Sequence, residues 1–408
     1  MAEPQFADGL DLTDPDVLVN QIPHEEFAEL RRTCPVWWNA QPYGSAGFDD
    51  DGYWAVTRHA DVMAVSRDSD TYSTWQNTAI VRFREGMPRE NIEMQRLVML
   101  NIDPPQHTKV RAIVSRGFTP RAINSLREAL SSRAERIARE ALEKGSGNFV
   151  TDVACELPLQ AIAELLGIPQ DDRLRIFDWS NQMVGYDDPE YEVDPMMAAG
   201  ELLAYAMKMA EERQEQPRKD IVTQLVNAEI DGDHLTADEF GFFVLLLAVA
   251  GNETTRNAIS GGMLAFLQHP QQWELFKAER PRSAVEEIIR WATPVNVFQR
   301  TALHDTELAG QQIKAGQRVA IFYGSANYDE EVFDRPHRFD ITRTPNPHLG
   351  FGGSGAHFCL GANLARLEIE LIFNALADHT PDIRQAGEAQ RLRSGWLNGI
   401  KTLDVHYR

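Results

Sequence analysis

Along most of the chain apolar residues recur three and four positions apart, the spacing of one helix face, and only short pieces alternate as strands do. The alternating pieces come early: "CPVWW" from Cys34 and "GYWAV" from Gly52 flank the turn-rich "NAQPYGSAGFDDD". From Arg121, "RAINSLREALSSRAERIAREAL" carries the helical repeat until "KGSGN" stops it. Further amphipathic helices are predicted over 152–166, closed by Gly167 and Pro169, and over 197–215. The sharpest start is "LTADEF", where Thr236 and Glu239 make a capping box, and no proline follows before Pro270. That allows a helix of about thirty residues, roughly 45 Å long. It is apolar on every side over much of its length, so it is read as running through the core. A helix over 283–292 stops at Pro294, "GQRVAIFY" reads as a strand, 334–358 is a Pro- and Gly-rich loop, and 361–378 is helical again. No repeat or low-complexity linker divides the chain. The pattern predicts one domain over 1–408, mostly α with a smaller β portion.

Composition narrows the function classes. The formal net charge is −21, which argues against nucleic-acid binding, because phosphate contacts need clustered Lys and Arg. Cys34, Cys155 and Cys359 are far apart and form no CxxC pair, so neither a disulfide framework nor a zinc ribbon is expected. The first thirty residues lack the basic and apolar regions of a signal peptide. The longest apolar run, "FFVLLLAVAG" from Phe242, is about half a membrane span. A cytoplasmic protein without a membrane anchor is the expectation.

Four constellations carry candidate chemistry. Cys359 lies in "FGGSGAHFCLG", residues 351–361, where four glycines leave bare backbone around one thiol. It reads either as a buried free thiol or as a thiolate ligand, and a single protein thiolate suffices for haem. "AGNETTR", residues 250–256, places Ala250 and Gly251 mid-helix beside Glu253 and Thr254. A small pair admits close approach of a ligand, and an acid beside an alcohol can relay protons; alternatively Thr254 bonds back to the carbonyl four residues earlier. In "EEIIR", Glu287 and Arg290 share a helix face among apolar neighbours, with Arg338 of "PHRFD" as candidate third member of a buried pair. His107 and Arg111 of "DPPQHTKVR", Arg300 of "VFQRTA" and His357 are cations that could answer carboxylates, though surface solvation is their ordinary fate.

The order of these motifs, from "DPPQHTKVR" to the tail, resembles the cytochrome P450 family. The resemblance implies that family's fold, a triangular prism of helices with the long helix over haem. It implies haem b with Cys359 as axial ligand and His107, Arg111, Arg300 and His357 on the propionates. It also puts Ala250, Gly251, Phe351 and Gly361 against the cofactor. By the same resemblance Glu253 and Thr254 serve oxygen activation, and Glu287, Arg290 and Arg338 form the structural triad. One departure is visible: the family usually has Phe seven residues before the cysteine, where this chain has Gly352, with Phe351 one earlier. "QRLVMLNIDPPQHTKVRAIVSRGFTPRAI", "VAGNETTRNAI" and "RLRSGWLNGIK" are similar in particular to the actinobacterial steroid C26-monooxygenases. That implies hydroxylation of the terminal side-chain methyl of cholesterol or cholest-4-en-3-one. It would use O2 and NAD(P)H electrons delivered through ferredoxin reductase and ferredoxin. Val98, Leu100, Val249, Val297, Phe298, Trp396 and Leu397 are the expected pocket walls, and Lys109, Arg116 and Arg366 the expected cations for an acidic ferredoxin. The alternatives are a P450 for another lipid or terpene, a peroxide-using relative, and a non-catalytic haem sensor or carrier.

Overall fold

The computed structural model describes residue 6 and residues 9–84, 86–191, 194–218, 220–230, 233–380 and 382–408. The principal helices are α1 (His59–Arg67), α2 (Gln106–Val114), α3 (Arg127–Lys144), α4 (Glu156–Leu166), α5 (Arg173–Val184), α6 (Pro195–Glu215), α7 (Ala237–Gln268), α8 (Pro270–Glu279), α9 (Ser283–Ala292) and α10 (Ala362–His379). The main sheet joins β1 (Val36–Ala40), β2 (Gly52–Val56), β3 (Tyr72–Ser73), β4 (Val297–Ala302) and β5 (Arg318–Phe322), in the order β1-β2-β5-β4-β3. Only the β5–β2 pairing is parallel, with Val319 opposite Trp54.

Helix α7 organises the body. It is 32 residues long, and its start is the capping box foreseen above: Glu239 N–H donates to Thr236 Oγ1 at 3.1 Å, and Thr236 N–H to Glu239 Oε2 at 2.9 Å. It packs against α4, α5, α6, α9 and α10, so apolar residues are required nearly all round it. The helix expected from Arg121 is broken: Pro120–Asn124 forms one short helix and α3 restarts at Arg127. Likewise the segment expected from 152 begins as a wide irregular turn, Val150–Ala154, before α4 proper. Helices α5 and α8 and strand β4 were not singled out by pattern. α8 is mixed in polarity, and its start is given by Pro270 at N1 rather than by an apolar stripe.

Behind the sheet-side helices lies a buried ionic hub. Glu287 and Arg290 on α9 are fully buried and bidentate, Arg290 Nε and Nη2 each donating to a Glu287 oxygen at 2.8 Å. Glu287 also accepts from Asp340 N–H at 2.9 Å, Asn346 Nδ2 at 3.1 Å and Arg343 Nε at 3.1 Å. The expected third member, Arg338, does not reach it: its side chain is 53% exposed, with only a 3.9 Å approach to Asp340. The reason is local. Phe339 inserts into an aromatic cluster with Phe266, His269 and Trp291, which turns its neighbour Arg338 outward. The chain then curls through Asp340 and Thr342 and delivers Arg343 to the carboxylate.

Candidate active site

The cysteine loop runs from the end of the ionic hub to α10. Its glycines answer two different demands. Gly352 (φ +95°) takes a left-handed conformation in which a Cβ would make only ordinary contact, 3.8 Å from His357 O, so it is the backbone angle that requires glycine. At Gly355 (φ +87°) a Cβ would stand 2.4 Å from the carbonyl oxygen of Ser66 on α1, so the loop also lies hard against that helix. Cys359 N–H donates to Phe351 O at 3.0 Å, which closes the loop on itself. The Cys359 side chain is accessible, although dense surrounding protein pushes its thiol pKa up. The Gly361 N–H and the charges of Arg111 and Arg366 pull the other way and favour thiolate. At Gly361 a Cβ would meet nothing within 4 Å.

Four basic side chains, two guanidiniums and two imidazoles, converge beside this loop. His107 and His357 have ring centroids 4.3 Å apart, and Arg111 Nη2 donates to Phe358 O at 2.5 Å. Arg300 on β4 is buried, with Nη1 donating to its neighbour's carbonyl at Gln299. Burial lowers the pKa of His107 to about 4, with Arg111 and Arg300 adding to the shift against Asp103. Burial, then Arg300, His107 and Arg111, drive His357 well below its usual value. Asp103 is an acid that acts on both His107 and Arg300, and its own oxygens are taken by Ser73 and Thr74. His107 Nδ1 is buried with no hydrogen-bond partner among the described residues. Two guanidiniums and two imidazoles held neutral by burial, with little acid among them, supply charge and hydrogen-bond donors that fit an anionic group with more than one carboxylate.

On α7, Ala250 is exposed although the helix is otherwise central, whereas Gly251 serves a different purpose from the one expected. A Cβ on Gly251 would lie 2.5 Å from Ile162 Cδ1, so that glycine admits α4 rather than a ligand. Thr254 Oγ1 donates to Ala250 O at 2.6 Å, leaving its oxygen lone pairs to accept. Glu253 is 1% exposed; one carboxylate oxygen is bonded to Arg256 and Oε1 has no partner among the described residues. Burial raises its pKa against the pull of Arg256. Arg256 in turn donates to Asn181 Oδ1 on α5 at 2.7 Å.

Of the expected pocket walls, Val249, Phe298 and Trp396 pack in one cluster, with the Phe298 and Trp396 rings stacked at 6.0 Å. Tyr186 and Tyr191 join them and had no signal in the sequence beyond being aromatic. Val297 and Leu397 are essentially inaccessible and back this wall instead of lining it. Val98 is buried and Leu100 partly so, outside that cluster. Sequence reasoning also missed Glu286. It accepts from His348 Nε2 at 2.9 Å and from Arg366 Nε and Nη2 at 2.7 and 3.0 Å. Arg366, expected as a cation of the docking surface, is thus ion-paired with Glu286 and its side chain is 36% exposed.

A haem-thiolate class of protein is what this loop, cation cluster and central helix define, and the chain belongs to the cytochrome P450 family. The family's sequence model matches residues 282–378. Over 408 residues the chain is 66% identical to a steroid C26-monooxygenase of Rhodococcus jostii, covering 100% of this chain and 87% of that protein. It is 59% identical over 406 residues to the protein of the same description from Mycobacterium tuberculosis, covering 99% and 94%. A Mycobacterium marinum cytochrome P450 solved with pseudoionone superposes with a TM-score of 0.91 at 38% identity, covering 99% and 100%. The chain is thus a haem monooxygenase, an oxidoreductase that uses O2 and draws electrons from redox partners. No helix among the described residues is long and apolar enough to cross a membrane.

Proposed function

We propose that the chain, acting as one cytoplasmic domain, hydroxylates the terminal C26 methyl of a steroid side chain, with cholesterol or cholest-4-en-3-one as substrate. The observation that carries the site assignment is the accessible Cys359 beside a cluster of two guanidiniums and two imidazoles short of acid. The steroid assignment rests on 66% identity, over the whole chain, to a protein described as a steroid C26-monooxygenase. In this reading Cys359 holds the haem iron, and His107, Arg111, Arg300 and His357 hold the two propionates. Haem, when bound, supplies the oxygen activation and the oxidation of an unactivated C–H bond.

The protein's part is orientation and proton control. Ala250 leaves room beside the macrocycle on α7. Thr254 accepts a hydrogen bond at its oxygen because its own proton is committed to Ala250 O. Glu253, whose burial favours the protonated form, supplies the proton from Oε1 while Arg256 restrains the other oxygen. Val249, Phe298, Trp396, Tyr186 and Tyr191 exclude water and present the apolar substrate end. A ferredoxin and its reductase are the proposed electron donors.

A panel of sterols, terpenes, aromatics and fatty acids, scored by the haem spin-state shift and followed by product analysis, tests the reading. Cholest-4-en-3-one should bind in the micromolar range or tighter, about −8 kcal/mol, and yield the terminal alcohol. A protein that ignores sterols but shifts with terpenes or aromatics would overturn the steroid assignment.

A further inference from the structure

The Phe–Gly shift in the cysteine loop leaves a question that the residues below the loop answer. Phe351, not residue 352, carries the ring, and three groups hold it. The Arg366 guanidinium lies 4.5 Å from its centroid, the His348 ring 5.9 Å and the Phe358 ring 6.4 Å. Arg366 is itself fixed by the bidentate bond to Glu286, and His348 donates from Nε2 to the same carboxylate. His348 Nδ1 accepts from Gly350 N–H at 3.1 Å, which sets the tautomer with its proton on Nε2. Thus one carboxylate on α9 orients an imidazole before the loop and a guanidinium after it. Between them Phe351 O receives the Cys359 N–H.

We propose that Glu286, His348 and Arg366 form a positioning network for the thiolate, in which Arg366 and Glu286 tune the haem potential in opposite directions. The proposal rests on Cys359 being the haem ligand. Arg366 stacks on Phe351, the residue whose carbonyl accepts the Cys359 N–H, so its charge lies beside the thiolate loop, and a nearby cation stabilises the reduced, more negative iron centre. Glu286 offsets part of that charge while keeping the guanidinium flat on Phe351. Among the described residues, none of the three belongs to the apolar wall cluster, so the network acts on sulfur and not on substrate.

The test is the reduction potential of the substrate-free holoprotein by spectroelectrochemistry, with the reduced carbon monoxide spectrum recorded for each variant. Glu286→Gln keeps the size and one acceptor but removes the charge, and should raise the potential. Arg366→Met should lower it, and Arg366→Lys, which keeps the charge, should stay near wild type. All three should retain the thiolate carbon monoxide band and the wild-type sterol dissociation constant. Should Arg366→Met fail to load haem, Glu286→Gln against Arg366→Lys still decides the sign. Shifts of the same sign for Glu286→Gln and Arg366→Met, or none, would overturn the proposal; so would Arg366→Lys falling as far as Arg366→Met. Loss of the proposed ligand role would show separately, as a normal thiolate band in Cys359→Ser.

Discussion

Replacing Arg343 and Arg338 in turn by methionine separates the buried hub from its exposed neighbour. Arg343 has a side chain only 9% exposed, bonds fully buried Glu287, and donates to the carbonyls of Asp334 at 2.7 Å and Arg338 at 2.8 Å. Its loss leaves part of a buried carboxylate and two carbonyls without their donor, a change of the kind that costs about 3–5 kcal/mol. Arg338 makes one 3.9 Å approach from a half-exposed position, and such a substitution stays within about 0.5 kcal/mol. With an unfolding entropy of about 2.1 cal/mol/K per residue, a chain of this length has roughly 0.86 kcal/mol/K in all. Arg343→Met should therefore lower Tm by about 3.5–6 °C and Arg338→Met by less than about 0.6 °C. Thermal unfolding of the haem-loaded protein, with urea midpoints as a cross-check, measures both. Equal losses from the two variants, or a larger loss from Arg338→Met, would refute the hub as described.

Cys359→Ser should lose the thiolate carbon monoxide band, whereas Cys34→Ser and Cys155→Ser, lying elsewhere in the fold, should keep it. Thr254→Ala should bind substrate normally but release peroxide, with product per NAD(P)H falling about tenfold or more; unchanged coupling in stoichiometric assays would remove Thr254 from the relay. Val249→Trp should keep the carbon monoxide band and lose the spin shift with cholest-4-en-3-one, because Val249 stands among the wall side chains. For Glu286, burial alone would raise the pKa, but hydrogen bonds from His348 and Arg366 outweigh it and bring it down to about 2. A depressed folded pKa gives stability that is present above the unfolded value and lost as pH falls. Tm should consequently drop between about pH 4.5 and 2, and Glu286→Gln should flatten that part of a pH series.

What could be read from the chain was whatever local sequence decides. The start of α7 was legible because both halves of its capping box lie within four residues. α9 and α10 were bounded by Pro294 and by the glycine loop. Cys359, His107, Arg111, Arg300 and His357 came from ordered motifs, and the fold does bring the four basic side chains together. The misreadings arose where a long-range path decides the outcome. Arg343 displaces Arg338 because Phe339 must enter the aromatic cluster, and no spacing rule encodes that. Glu286 stands one residue before the glutamate singled out, yet its partners lie 62 and 80 residues away. Tyr186 and Tyr191 belong to the connection after α5, whose placement over the apolar wall is a tertiary fact.

The contact between Gly251 and Ile162 bears on how such a chain can diversify. Ala250 is open, so its volume can change with only the ligand to consult, while Gly251 beside it meets a side chain on α4. A methyl group added at 251 has to be answered by volume removed at 162. The two positions should therefore covary across homologous chains, small with large, independently of the substrate each enzyme takes. Directed libraries that randomise 249 and 250 while holding 251 and 162 as one linked pair should then yield more folded variants than libraries that treat the four positions as equivalent.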